Sequence, residues 1–223
     1  NKSTKKSNST PTLTNTPINT ACCNQAFYYN LGAIDTLDYD SFSYSMAQAK
    51  IDPTSMHAYD SPFTPRYPLT PYCVTTTTIK CTPDPKANPP KGIYFSESTG
   101  DLIFTPKKCD EFTLFVIGVT EWRKDTSNAW VKIGYTQRDI EFLTVDNCGY
   151  NNSPSIDGNE ISKICEGETI KIKVSSNDET YVPFQTVPDT TALNWNSGIP
   201  GAQFTIAKKS DWPDKRKAYG EFQ

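Results

Sequence analysis

Glu111-Phe112-Thr113-Leu114-Phe115-Val116-Ile117-Gly118-Val119-Thr120-Glu121-Trp122 decides the fold class. The run is rich in aromatic and β-branched residues and has no helical period, so it reads as a long β-strand. Asp139–Val145 reads as a second strand of the same kind, expected beside the first and joined to it through the polar loop Lys124–Ala129. Working outward, Ala26–Leu31, Ser41–Met46, Ile93–Phe95, Asp101–Phe104 and Trp130–Ile133 carry the same signal. Ser98-Thr99-Gly100-Asp101 is a hairpin-type turn in which glycine supplies the positive φ. Seventeen prolines belong in loops and edge strands, and a Pro/Thr-rich insert near 53–90 reads as an elaborated crossover. The expected fold class is all-β.

The chain repeats itself. Asn8-Ser9-Thr10-Pro11-Thr12-Leu13 resembles Asn151-Asn152-Ser153-Pro154-Ser155-Ile156, at an offset of 154 − 11 = 143. The same offset sets Ile18 on Ile161, Cys22 on Cys165, Phe27 on Ile170 and Asp35 on Asp178 without a gap. A proline, a cysteine, an aspartate and several apolar positions in one register mark an internal repeat of about one domain. Module one is expected to span 1–147, and module two 148–223, the latter ending inside a strand and thus incomplete.

Composition narrows the function classes. A net charge of −3 gives no electrostatic footprint for nucleic acid. No apolar run approaches the ~20 residues that span a bilayer. Asn1–Thr10 is polar, with neither an initiator Met nor a signal-peptide core, so a mature or excised fragment is expected. Seven cysteines beside a single histidine, His57, argue for disulfides in an oxidising compartment rather than a zinc site. G-x-S-x-G, P-loop and H-E-x-x-H motifs are absent, and His57 sits in the Pro-rich insert, so no catalytic residue is expected.

Asn30-Leu31-Gly32-Ala33-Ile34-Asp35 followed by Asp38-Tyr39-Asp40-Ser41-Phe42-Ser43-Tyr44 resembles the Asp-rich start of cadherin-like modules. Ser98-Thr99-Gly100-Asp101-Leu102-Ile103-Phe104-Thr105-Pro106 resembles their hairpin, and Thr120-Glu121-Trp122-Arg123 and Leu193-Asn194-Trp195-Asn196 continue the pattern. Together these stretches are similar to the tandem immunoglobulin/cadherin-like β-sandwich repeats of giant Bacteroidota surface proteins, gliding-motility adhesins and other cargo of the type IX secretion system among them. The long insert and the doubled Cys22-Cys23 depart from that pattern.

The resemblance implies a secreted, non-enzymatic repeat on the outer surface of a Gram-negative bacterium, a spacer or adhesive piece of a long rod. Its partners would be neighbouring repeats of the same polypeptide, and surface polysaccharide or other cell-surface proteins. In the immunoglobulin topology that it implies, Cys22, Cys23, Cys109 and Cys148 gather at one pole. The expected bridges are Cys22–Cys148, Cys23–Cys109 and Cys73–Cys81; exchange of the partners of Cys22 and Cys23 satisfies the same topology. The partner of Cys165 is expected outside the fragment.

At the opposite pole Asp35, Asp38, Asp40, Glu121 and Asp139 are expected to converge, an oxygen-rich set suited to Ca²⁺. Asp146, Asn147, Asn151, Asn152 and Asp178 offer oxygens for a linker calcium between modules. Arg123 and Arg138 lie among the first set and offer neutralisation without metal. Asp35-Thr36-Leu37 also fits a short O-glycosylation pattern. A second function class, a carbohydrate-binding module of a secreted enzyme, rests on Trp130 and Trp212, which flank polar loops and would stack on sugar rings. Trp122 and Trp195 fall in strand patterns and are expected in the core.

Overall fold

The computed structural model describes residues 8–73, 79–146, 148, 154–158, 163–165, 167–178, 187–195, 199 and 201–223. The chain divides into two compact units, Asn1–Asn147 and Cys148–Gln223.

The first unit holds β1 (Thr12–Leu13), β2 (Thr20–Cys22), β3 (Phe27–Tyr29), β4 (Ala33–Ile34), β5 (Ser41–Met46), β6 (Ile93–Phe95), β7 (Leu102–Phe104), β8 (Phe112–Lys124) and β9 (Trp130–Val145). One sheet has the order β2-β9-β8-β5, and a second has the order β3-β7-β6, with β1 paired to β4 beside it. All pairings are antiparallel except β2 with β9, which is parallel. An N-terminal stretch shared between two facing sheets, and a last strand flanked by it, is the strand order of an immunoglobulin-type sandwich.

Alternation along β8 turns Phe115, Ile117, Val119 and Glu121 to one side, and all four are buried. The first three meet Phe27, Tyr29, Ile93, Phe95, Leu102 and Phe104 of the other sheet in one core. Its centre is aromatic: Phe27, Phe104, Phe115 and Phe142 lie with ring centroids 5.0–5.6 Å apart. Edge-on and tilted rings at that spacing are the favoured arrangement for aromatic pairs. Gly100, at φ +80°, closes the β6–β7 hairpin, with its N–H on the Ser96 carbonyl at 2.8 Å and the Tyr44 ring against it. Among its described residues the Pro-rich insert between β5 and β6 contains only isolated bridges. It is tied down by buried Glu111, which accepts from Thr70 N at 2.7 Å and Thr70 Oγ1 at 2.9 Å, and by Leu69, which is fully buried.

Two expected strands, Trp130–Ile133 and Asp139–Val145, are one. The intervening Gly134–Arg138 pairs residue by residue with Ile117–Glu121, and a bulge between Glu121 and Trp122 absorbs Ile133. Its polar side chains concealed the strand, because an outward face carries no apolar alternation. Of the doubled cysteines, Cys22 ends β2, and Cys23 and Asn24 make the turn into β3, with Asn24 at φ 63°.

The second unit holds β10 (Ser155–Gly158), β11 (Ile172–Asn177), β12 (Phe204–Ile206), a 3₁₀ turn at Lys209–Asp211, and β13 (Tyr219–Phe222). They form one antiparallel sheet in the order β10-β11-β13-β12. Its register repeats that of the first unit. Thr12 faces Ile34 and Leu13 faces Ala33; Ser155 faces Asn177 and Ile156 faces Ser176, each 143 residues on. Around Trp195, expected in a strand, the described residues carry none; the Trp195 ring instead lies 6.2 Å from Phe204 and 5.5 Å from Phe222.

Candidate functional site: an acidic pole in the first unit

Asp35, Asp38 and Asp40 lie in the connection from β4 to β5, and Glu121 and Arg123 near the end of β8. One carboxylate oxygen from each of the three aspartates falls within 4.8 Å of the others. The loop folds this way because Asp35 Oδ1 accepts the N–H groups of Leu37 at 3.0 Å and Asp38 at 2.9 Å, a local Asx-type turn. The Asp40 side chain is almost wholly buried against Arg123, whose Nε and Nη2 each donate to it at 2.7 Å. Arg123 Nη2 also stands 3.4 Å from Asp38.

Asn8 and Ser9 complete the pole. Ser9 donates its N–H and its hydroxyl to Asp38 Oδ2, both at 2.7 Å, and Asn8 Nδ2 donates to Glu121 Oε2 at 3.2 Å. Glu121 is the polar end of the inward row of β8. Its second oxygen, Oε1, is buried and has no hydrogen-bond partner among the described residues. Gly134 faces Glu121 across the ladder, and a Cβ there would fall on the Glu121 carboxylate, so only glycine leaves it this place.

The charges respond to this packing. Burial pushes the Glu121 carboxyl up, and the nearby Asp40 and Asp35 push it further, against the Asn8 hydrogen bond. For Asp35, burial works upward but the N–H donors of Asp38, Leu37 and Asp40 outweigh it and hold the group below its ordinary value. The Ser9 hydroxyl and N–H, then Arg123, hold Asp38 down.

The donor set fits calcium. Ca–O distances of about 2.3–2.6 Å give a coordination sphere roughly 5 Å across. The three aspartate oxygens lie close enough together to share one such sphere; Glu121 is not one of that trio, and its Oε1 is buried without a hydrogen-bond partner among the described residues. Arg123 neutralises part of the cluster and competes for Asp38 and Asp40.

Asp139 does not belong to this pole. It faces Val116, five ladder positions from the Glu121–Gly134 pair, or roughly 17 Å along the strand. The merged β9 begins at Trp130, which moves Asp139 to mid-strand, where it accepts from Gln137 Nε2 at 3.0 Å. Arg138 is elsewhere too, with Nη1 donating to the Asn15 carbonyl at 3.1 Å. Of the linker set, Asn147, Asn151 and Asn152 lie outside the described residues. Asp146 follows β9 in the first unit; Asp178 follows β11 in the second. Asp178 is buried, accepts the Asp189 N–H at 2.8 Å and leaves Oδ1 without a hydrogen-bond partner among the described residues.

Trp130 is exposed, with Lys124 Nζ 5.3 Å from its ring centre. Trp212 is half-buried; its Nε1 donates to the Ala207 carbonyl at 2.8 Å and its ring meets Tyr219 edge-on, so it is a brace for its own loop. Trp122 is half-buried with Nε1 on Ser43 Oγ at 2.8 Å. His57 is exposed beside Tyr59.

Six of the seven cysteines are disulfide-bonded. Cys23 joins Cys109 with Cα atoms 5.2 Å apart, and Cys73 joins Cys81 at 6.0 Å. Cys22 and Cys148 are oxidised as well, and Cys165 is a free, exposed thiol. Such oxidation belongs to an extracellular or otherwise oxidising environment. No helix among the described residues is long and apolar enough to cross a membrane.

No protein-family model, curated protein or solved structure matches the chain. Asn8, Ser9 and Gly134 were not singled out as site residues by the sequence. Asn8 and Ser9 open the stretch whose recurrence marks the repeat, which was a usable signal; Gly134 carried none.

Proposed function

We propose that this chain is part of a non-enzymatic structural and adhesive repeat of a large secreted cell-surface protein. The observation that carries this reading is the register shared by the two units at an offset of 143 residues. Repetition of one sandwich design suits a chain built for length and surface, and the oxidised cysteines suit life outside the cell. The resemblance to Bacteroidota surface repeats extends the proposal to a Gram-negative surface, export by the type IX route and a place in gliding motility. Neighbouring repeats are the first partners. In the first unit Asp35, Asp38 and Asp40 would hold a calcium ion, which would neutralise the β4–β5 loop.

Thermal unfolding in excess calcium and then in chelator tests the calcium part, because a ligand of the folded state raises its stability in proportion to occupancy. The expected result is a higher melting temperature with calcium, and no difference in an Asp35→Ala/Asp38→Ala variant. Equal melting in both conditions removes calcium and leaves Arg123 as the neutralising group.

A carbohydrate-binding module of a secreted enzyme is the second reading, favoured by exposed Trp130 with exposed Val131 and Tyr135 on β9. Titration with soluble polysaccharide should then quench tryptophan fluorescence, and Trp130→Ala should abolish the quench. Unchanged fluorescence counts against sugar stacking.

A further inference from the structure

The register of the two units agrees, and their burial does not. Leu13 packs against the core of the first unit, whereas Ile156, at the same place 143 residues on, is 69% exposed. Ala21 is 8% exposed and Ile164, its equivalent, 50%. Tyr29 faces Leu102 as Ile172 faces Phe222, and Phe95 faces Leu102 as Phe204 faces Phe222. Tyr29, Leu102 and Phe95 are buried; Ile172, Phe222 and Phe204 are each only partly buried, the last two against the Trp195 ring.

In the first unit this face is covered by Phe115, Ile117 and Val119 of β8 and Ile140 and Phe142 of β9. Among its described residues the second unit has no counterpart of β8 or β9.

A second, chemically independent observation points to the same kind of cover. Cys22 is oxidised and lies in register with Val145 near the end of β9, and Cys148, just beyond, is also oxidised. Cys165 occupies the position of Cys22 and is a free thiol. Backbone structure agrees: Thr20–Cys22 is a strand because β9 pairs with it, and the equivalent Lys163–Cys165 is not a strand. The cover, the strand partner and the cysteine all belong, in the first unit, to one continuous segment, 112–148.

We infer that the second unit is a docking surface for a β-hairpin of this repeat type, with apolar residues alternating along both strands and a cysteine just after the second. The hairpin lies over Ile172, Phe204 and Phe222, and its cysteine forms a disulfide with Cys165. In that step each thiol loses a proton, and two electrons pass to a disulfide-class oxidant that leaves as two thiols. The inference rests on the repeat reading of the two units and is independent of calcium.

The test uses the full chain and a peptide of residues 111–148, whose only thiol, Cys148, is activated as a thiopyridyl mixed disulfide. The Cys165 thiolate attacks the peptide sulfur, the old S–S bond breaks, and thiopyridone leaves as a chromophore. Docking makes this attack effectively intramolecular. The peptide should therefore react at least about tenfold faster than a scrambled peptide with the same activated cysteine. Amide exchange should slow in 172–177, 204–206 and 219–222 of the adduct. Phe222→Asp should remove the rate advantage without changing reactivity toward a small thiopyridyl disulfide, and Cys165→Ser should still show slowed exchange with the reduced peptide. Equal rates for native and scrambled peptides with unchanged exchange overturn the inference; a negative calcium melt leaves it standing.

Discussion

Glu121 occupies a position that its own strand prepared for an apolar side chain. The inward row runs Phe115, Ile117, Val119, Glu121, and the last member keeps the burial while changing the chemistry. Its folded carboxyl titrates above the ordinary value of 4.5 because burial and two neighbouring aspartates disfavour the charge. From pH 4.5 up to that raised value, the folded chain holds a proton that the unfolded chain has lost. Stability contributed by Glu121 is thus present below pH 4.5 and declines as pH rises through the window. Asp35 and Asp38 carry the opposite sign: their folded carboxyls lie below 3.8, and their contribution is lost as pH falls through those lowered values. Glu121→Gln should therefore flatten the decline above pH 4.5 and leave the acid limb in place. Urea midpoints measured from pH 3 to 8 check this; parallel profiles for both chains would deny Glu121 the role.

At the scale of elements, two devices hold the first unit: paired strands and oxidised cysteines. The Cys23–Cys109 bridge closes a separation of 86 residues, worth about 4–5 kcal/mol in the chain-entropy model. A Cys23→Ser/Cys109→Ser variant should lose stability of that order in denaturant unfolding, with Cys73–Cys81 intact. A loss below about 1 kcal/mol would mean that the unfolded chain is already restrained by its other bridges. Elements were legible from sequence where chemistry alternates or a turn residue is obligatory. Ser41–Met46, Ile93–Phe95 and the Gly100 hairpin are of this kind, and Phe112–Lys124 lies over the long apolar run. The middle of β9 was not, because a ladder partner held Gly134–Arg138 in extended form without any apolar pattern. The acidic loop was legible as three aspartates in six residues. Its closure by Asn8 and Ser9 was not, because Asn8 and Glu121, separated by 113 positions in the chain, meet only on folding.

The two units share one register and differ in how far they are buried. The first unit buries an aromatic cluster between two sheets, and the second presents a single sheet whose Phe204, Phe222 and Trp195 pack mainly on one another. Apolar area removed from water sets most of a domain's stability, so the second unit should melt first. Calorimetry should resolve two transitions, and Phe204→Ala should lower only the earlier one. One transition shifted as a whole by that substitution would contradict separate cores. The offset of 143 made this architecture readable, since a repeat states its period in the sequence. The difference in burial was unreadable, because equal patterns say nothing about what covers them.

The parallel pairing of β2 with β9 has a further consequence. These are an early and the last strand of the first unit, lying side by side with Thr20 on Leu143, Ala21 on Thr144 and Cys22 on Val145. Tension entering at one and leaving at the other pulls them along their common axis, so the bonds between them are sheared together rather than unzipped singly. Cys22 at the end of β2 and Cys148 just beyond β9 are themselves oxidised, and the Cys23–Cys109 link, with a sequence separation of 86, keeps the chain it encloses out of the line of pull. Roughly 300 Å of contour length then stays locked in the folded unit while the chain on either side is taut.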